Sequence, residues 1–249
     1  MIYIKSNEEI QIMRQAGRIC AQAHEAVRNA VREGVSTMEL SLMVEELIRA
    51  AGATPSFKGY QGFPEAACIS VNDEIIHGIP SKRRILREGD IVSVDIGVCF
   101  RGFHGDAART HGVGEISVEA AELIEVTRNS FRAGMDNARE GNRVQDVSRA
   151  VEAVAQAAGC GVVRSFVGHG VGRELHEDPE VPNYDNGHKG PRLYAGMTIA
   201  IEPMVNRGSD EVVTLDDGWT VVTRDGKWSA HHENTILVTK DDPIVLTAL

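Results

Sequence analysis

The alternation of apolar and polar positions divides the chain into helical and strand-like stretches. Ser6 with Glu9 three residues on is a capping box, and apolar positions recur at helical spacing from Ile10 to Val31, predicting a long amphipathic helix ended by Gly34. Ser36 or Thr37 starts a second helix that runs to about Ala51 and is closed by Gly52. After a glycine-rich loop from Lys58 to Pro64, Ala66 to Val71 reads as a strand, and a turn at Asn72 to Glu74 leads into IIHGIP. Residues 91–110, IVSVDIGVCFRGFHGDAART, predict two strands folded back on a turn at Arg101-Gly102. That turn sets Cys99 opposite His104, Gly97 opposite Asp106 and Asp95 opposite Ala108. Asp95 and Asp106 then share one face as diagonal neighbours, about 7–8 Å apart at Cα. An aspartate at the centre of an apolar strand is costly unless a cation compensates it, so the hairpin points to a metal site; solvated acids on an open sheet are the alternative.

The plan recurs. Shifted by 107 positions, residues 32–52 lie over 139–159 with nine identities in 21 positions, including both REG openings and both AAG endings. The same shift sets Leu86 on Leu193, Gly89 on Gly196 and Asp95 on Glu202. A long period present only twice is not a solenoid. It predicts two similar α/β halves, about 6–112 and 117–240, related by a pseudo-twofold within one catalytic domain spanning 1–249. The second half adds FVGHGVGRELHEDP with His169 and His176, the buried-strand run MTIAIEPMV broken by Glu202, and the strand SAHHENTILVT carrying Glu233.

Composition narrows the class. At 249 residues with 42% hydrophobic and 25% charged positions, the chain is an ordinary globular one. It carries no apolar run of 18 residues and no signal-like leader, so a cytoplasmic protein without a membrane segment is expected. A net charge of −10 argues against nucleic acid as a primary ligand. Cys20, Cys68, Cys99 and Cys160 are scattered without CxxC, so reduced, mostly buried thiols are expected. No dimerisation stripe stands out, and a monomer is expected.

Several signatures fail. His176-Glu177 does not extend to HExxH, no GxSxG is present, and GHGVG lacks the GK[ST] of a phosphate loop. What remains is Asp95, Asp106, His169, Glu202 and Glu233, drawn from both halves. Four carboxylates and one imidazole exceed a single four-coordinate zinc centre and suit two adjacent divalent ions, whose charge they balance. Oxygen-rich ligation with one nitrogen leaves Co, Mn, Fe or Zn open. Of the other histidines, His24 is expected on the helix surface, His188 has no role, and His104 and His111 flank the hairpin as packing or exposed groups. His77 and His176 follow turns beside the ligand segments and are the candidates for touching substrate.

HGIP after a strand, two aspartates on a hairpin, GHGVGRELHE, AIEPM and HENTI, in that order, resemble the type I methionine aminopeptidases of the pita-bread fold. The resemblance implies an α/β (α+β) architecture with two pseudo-twofold halves around an antiparallel sheet and helices on its outer face. It implies two divalent metal ions on Asp95, Asp106, His169, Glu202 and Glu233, with Asp106 and Glu233 bridging and Glu202 doubling as general base. His77 and His176 would contact substrate, His176 helping to stabilise the tetrahedral intermediate. Tyr60, Phe63, Cys68, Leu175 and Trp219 would form a methionine pocket with Phe57 at its edge. The implied reaction removes the initiator methionine of nascent chains when the second residue is small, by attack of a metal-bridging hydroxide on the scissile carbonyl. A transient encounter with ribosomes follows from that substrate.

Many relatives carry phenylalanine where Leu175 stands and histidine where Gln61 stands, departures that bear on pocket shape and not on the metal site. Two other readings are open. Xaa-Pro aminopeptidases and prolidases share the ligand pattern but usually carry a large extra N-terminal domain. A metal-free binding relative would not need all five ligand types. Type II enzymes insert a helical subdomain between the last two glutamates, which are here separated by only 30 residues.

Overall fold

The computed structural model describes residues 1–249. Four helices, α1 (Asn7–Ala30), α2 (Thr37–Ala50), α3 (Val118–Asp136) and α4 (Val144–Ala157), pack against antiparallel strands. Ser6 and Glu9 close the capping box of α1, and Ser36 and Glu39 close that of α2. The buried stripe of α1, including Met13, Cys20 and Val27, lies on a hairpin of Ile91–Phe100 and Phe103–Gly112. The approach is backbone to backbone at one point: a Cβ on Gly105 would sit 2.9 Å from Gly17 N. The hairpin turn is the expected one, with Arg101 and Gly102 both at positive φ, and Cys99, Gly97 and Asp95 face His104, Asp106 and Ala108.

The offset of 107 is visible in three dimensions. It carries α2 onto α4 end for end, the short strand Thr54–Pro55 onto Gly161–Val162, and the start of Ile91–Phe100 onto that of Thr198–Ile201. It also carries hydrogen bonds. Gly34 N to Leu86 O (2.9 Å) and Leu86 N to Val35 O (2.8 Å) recur as Gly141 N to Leu193 O (3.0 Å) and Leu193 N to Asn142 O (2.8 Å). Each half has its own apolar core, one around Val44, Leu86 and Val94, the other around Val151, Leu193 and Ile201.

Phe103–Gly112 meets residues 229–237 along a seam between the halves. At its centre Ala108 and Glu233 exchange main-chain hydrogen bonds. On either side a threonine hydroxyl replaces the main chain: Thr235 Oγ1 accepts from Asp106 N (2.9 Å) and donates to Asp106 O (3.0 Å). Thr110 Oγ1 does the same with His231, at 2.9 Å in each direction. The seam therefore behaves as a ladder with hydroxyls in alternate rungs.

Two expectations need correction. The runs around Glu202 and Glu233 are not continuous strands. Thr198–Ile201 is separated from Met204–Asn206, and Ser229–His231 from Asn234–Leu237, because the chain passes between sheets at both glutamates. His24 is not on the surface. It is 6% exposed and bonds Ala107 O through Nε2 at 2.8 Å, in the same stripe as Cys20 and Val27.

Candidate metal centre

Strand register assembles the acids. Cys68 pairs with Asp95, Asp95 with Ala108, and Ala108 with Glu233 across the seam. Asn234 faces Ile201 and Met204 faces His231, so Glu202 stands opposite Glu233 in the two-residue gap between those pairs. One cross-sheet row thus brings acids of both halves together. Asp106 lies on the same face as Asp95, two residues before Ala108.

His169 comes from the strand Gly168–Gly170. Its glycines are required by crowding, since a Cβ on Gly170 would lie 2.2 Å from Asp178 O. The ring Nδ1 sits 2.8 Å from Gly170 O, where only an N–H can donate, which leaves the Nε2 lone pair free. Nε2 is 3.4 Å from Glu202 Oε1. One ligand atom each of Asp106, His169 and Glu233 lies within 4.8 Å of the others, and all three residues are buried.

The donor set fits divalent cations. Asp95 Oδ1, Asp106 Oδ1 and Glu233 Oε1 are buried with no hydrogen-bond partner, which is costly for carboxylates unless a cation takes the place of the donors. Desolvation and then mutual repulsion push Asp95, Glu202 and Glu233 well above the usual carboxyl range, and desolvation lifts Asp106 to about 7. Burial pushes His169 down to about 3, with His176 adding to it, so the imidazole is neutral and able to serve as a ligand.

A cavity of about 290 Å³ opens beside the acids, and every site residue implied by the resemblance lines it, together with Phe57 and Gln61. Phe57, Phe63, Cys68 and Leu175 form a buried apolar cluster, with Tyr60 and Trp219 packed against it. Trp219 meets Phe63 edge-on at 5.2 Å between centroids. His176 stands between the apolar and acidic ends. Its Nδ1 is 2.8 Å from Tyr60 Oη, and its ring centroid is 4.1 Å from that of His169. His77 adopts a left-handed φ of 59° and meets Phe166 and Trp219 edge-on; burial lowers its pKa to about 4.

The sequence reading missed Phe166 and His231. His231, 2% exposed, places Nε2 3.9 Å from Glu202 Oε2. Its two-residue spacing from Glu233 was the available signal. Phe166 offered none. His104 is half-buried with Nδ1 2.9 Å from Ser56 Oγ, and His188 is exposed.

A buried cage of carboxylates and one neutral imidazole, set beside an apolar pocket on a twice-repeated α/β frame, defines a metal-dependent hydrolase of the pita-bread class. Residues 11–240 match metallopeptidase family M24. A methionine aminopeptidase of Clostridium perfringens is 53% identical over 249 residues, covering 100% of both chains. Methionine aminopeptidase 1 of Bacillus subtilis is 49% identical over 247 residues, covering 99% of each. The crystal structure of the methionine aminopeptidase of Thermotoga maritima superposes with a TM-score of 0.98 at 44% identity, covering 100% of each chain. The chain belongs to metallopeptidase family M24, among its methionine aminopeptidases. No helix is long and apolar enough to cross a membrane.

Proposed function

We propose that the protein is a metallo-aminopeptidase that removes methionine from the N-terminus of peptides whose second residue is small. The observation that carries this reading is the meeting, in one cavity, of the acid cage and an apolar pocket walled by Phe63, Cys68, Leu175 and Trp219. Asp95, Asp106, His169, Glu202 and Glu233 would hold the divalent ions, two of them on the charge that four carboxylates balance. Bound there, such ions supply Lewis acidity and a water that ionises near neutral pH.

The chain's own groups do the rest. The methionine side chain packs among Phe63, Cys68, Leu175 and Trp219, where its burial is worth about 1.5–3 kcal/mol and its flexible thioether suits aromatic walls. Glu202 takes the proton of the attacking water and returns it to the leaving nitrogen as the scissile C–N bond breaks. Tyr60 donates its hydroxyl hydrogen to His176 Nδ1, which places the ring proton on Nε2, where it meets the oxyanion of the tetrahedral intermediate. His77, clamped edge-on by Phe166 and Trp219, orients the substrate backbone. The whole chain, 1–249, acts as one catalytic unit of two halves, about 6–112 and 117–240. It works as a monomer in the cytoplasm on nascent peptides, in passing contact with ribosomes.

The decisive assay compares peptides on Mn²⁺- or Co²⁺-loaded protein. Met-Ala-Ser is cleaved; Met-Lys-Ser and acetyl-Met-Ala-Ser are not, and chelation abolishes the activity. Equal cleavage of the acetylated peptide refutes recognition of the free amine. Preference for a non-methionine peptide with proline second replaces the reading with an Xaa-Pro peptidase.

A further inference from the structure

Residues 171–176 double back between the strand Gly168–Gly170 and the strand Glu177–Val181, and they fold around the carboxylate of Glu177. Its Oε1 accepts from the main-chain N–H groups of Arg173 (2.8 Å) and Glu174 (3.3 Å). Its Oε2 takes Lys5 Nζ at 2.6 Å, with the two side chains 5% and 6% exposed. The Gly172 backbone lies close against the pair: a Cβ there would lie 2.4 Å from Glu177 Oε1 and 2.6 Å from Lys5 Cε. Lys5 comes from the far end of the sequence, and its own N–H is fixed on Gly196 O at 2.9 Å. The loop is also tied by His104 N donating to Gly172 O at 2.8 Å, by Val171 against Thr198, and by Arg173 on Glu9 at 2.9 Å.

Leu175 and His176 are the two residues immediately before Glu177. Leu175 is 2% exposed in the apolar pocket, and His176 faces Tyr60 and His169. We propose that Lys5 and Glu177 are a positioning pair that sets Leu175 and His176 for catalysis, an inference that rests on the function proposed above. Neither residue lines the cavity beside the acids. A carboxylate buried without its ammonium is strongly unfavourable, so loss of Lys5 drives Glu177 toward water and carries its two predecessors out of place.

The test uses the full chain and the variants Lys5→Met, Lys5→Arg and Glu177→Gln. Three quantities are read: kcat and KM on Met-Ala-Ser for the Mn²⁺-loaded protein, Mn²⁺ affinity by calorimetry on the chelated protein, and the Cε1 proton resonance of His176 on protein loaded with diamagnetic Zn²⁺. Lys5→Met is expected to lower kcat/KM by about ten- to hundredfold, the scale on which small misplacements act. The loss appears in both constants, because Leu175 serves binding and His176 serves the chemical step. The His176 resonance shifts, Mn²⁺ affinity holds, and Lys5→Arg recovers most of the activity.

An unchanged kcat/KM in Lys5→Met overturns the proposal. So does a matching loss of Mn²⁺ affinity that Lys5→Arg fails to restore, which marks general disruption. Should Lys5→Met not fold, Glu177→Gln takes its place, since it keeps an acceptor for Arg173 and Glu174 while removing the charge. The same three quantities are then read, and the same results support or overturn the pair. Wild-type protein that leaves Met-Ala-Ser intact sinks the functional reading instead, and the His176 resonance still decides the positioning pair.

Discussion

Ala108 and Glu233 bond each other twice through the main chain, at 3.3 and 3.0 Å, and this single rung fixes a proposed ligand of the second half against the hairpin of the first. Its neighbours are closed by Thr235 and Thr110 hydroxyls. Replacing Thr235 with the near-isosteric valine leaves Asp106 N–H and C=O buried without partners, at about 1–3 kcal/mol for each orphan. The expected result is a fall in Tm of about 2–4 °C for every kcal/mol lost. Metal affinity weakens with it, because Asp106 is the residue released. Scanning calorimetry and metal titration check both, and an unaltered Tm would show that water or a shifted backbone closes the rung instead.

Chelation should make stability depend on pH. Asp106 is raised to about 7, and Asp95, Glu202 and Glu233 are also raised well above their ordinary range. A carboxyl raised in the fold contributes stability that is complete below its unfolded pKa, about 4, and lost as pH climbs through the folded value. His169 and His231, pushed down to about 3, act oppositely and withdraw stability as pH falls. They begin to do so below about pH 6.5, so between there and about pH 8, where the buried thiols of Cys20 and Cys68 begin to add to the loss, the acids act alone. In EDTA the Tm should therefore decline from about pH 6.5 to 9, and Mn²⁺ should raise it most at the alkaline end. A flat alkaline limb in EDTA contradicts the repulsion on which the metal centre depends.

His176→Gln separates the imidazole from metal binding. If His176 meets the oxyanion, kcat falls by about 10²- to 10³-fold, the usual cost of one such donor. The metal stoichiometry measured by elemental analysis stays that of the wild type. Loss of metal along with activity would move His176 from the substrate to the cage.

Leu175→Ala enlarges the apolar pocket at a residue that is almost wholly buried. The expected kinetic signature is a KM for Met-Ala-Ser raised about tenfold or more, with a smaller change in kcat, since the contact is made equally in ground and transition states. Truncation also costs stability, about 2–5 kcal/mol for a core leucine. A KM equal to wild type would remove Leu175 from the methionine pocket.

Local chemistry makes much of the fold and site legible in the sequence. The turn at Arg101-Gly102 fixes a register, the register fixes the shared face of Asp95 and Asp106, and the repeat aligns Glu202 with Asp95. Gly34 and Gly141 can be matched because both follow a helix at positive φ. Sequence is silent where a side chain stands in for the main chain or where partners are remote. Nothing about Thr235 announces a rung of a ladder, and nothing about Lys5 announces Glu177. His24 is misplaced by its polarity, which hides its position four residues from Cys20 and three from Val27 on the buried stripe. The helical periodicity holds there, and the carbonyl of Ala107 satisfies the polar atom.

The hydroxyl-laced seam has a bearing on biosynthesis. A growing polypeptide makes its hairpin of aspartates long before Glu202 and Glu233 have been polymerised, and those late glutamates complete the cage. On the proposed ligand set, the newborn enzyme would be inert toward its neighbours, and toward itself, until both lobes have docked. Neither lobe, expressed or inherited alone, could trim a peptide.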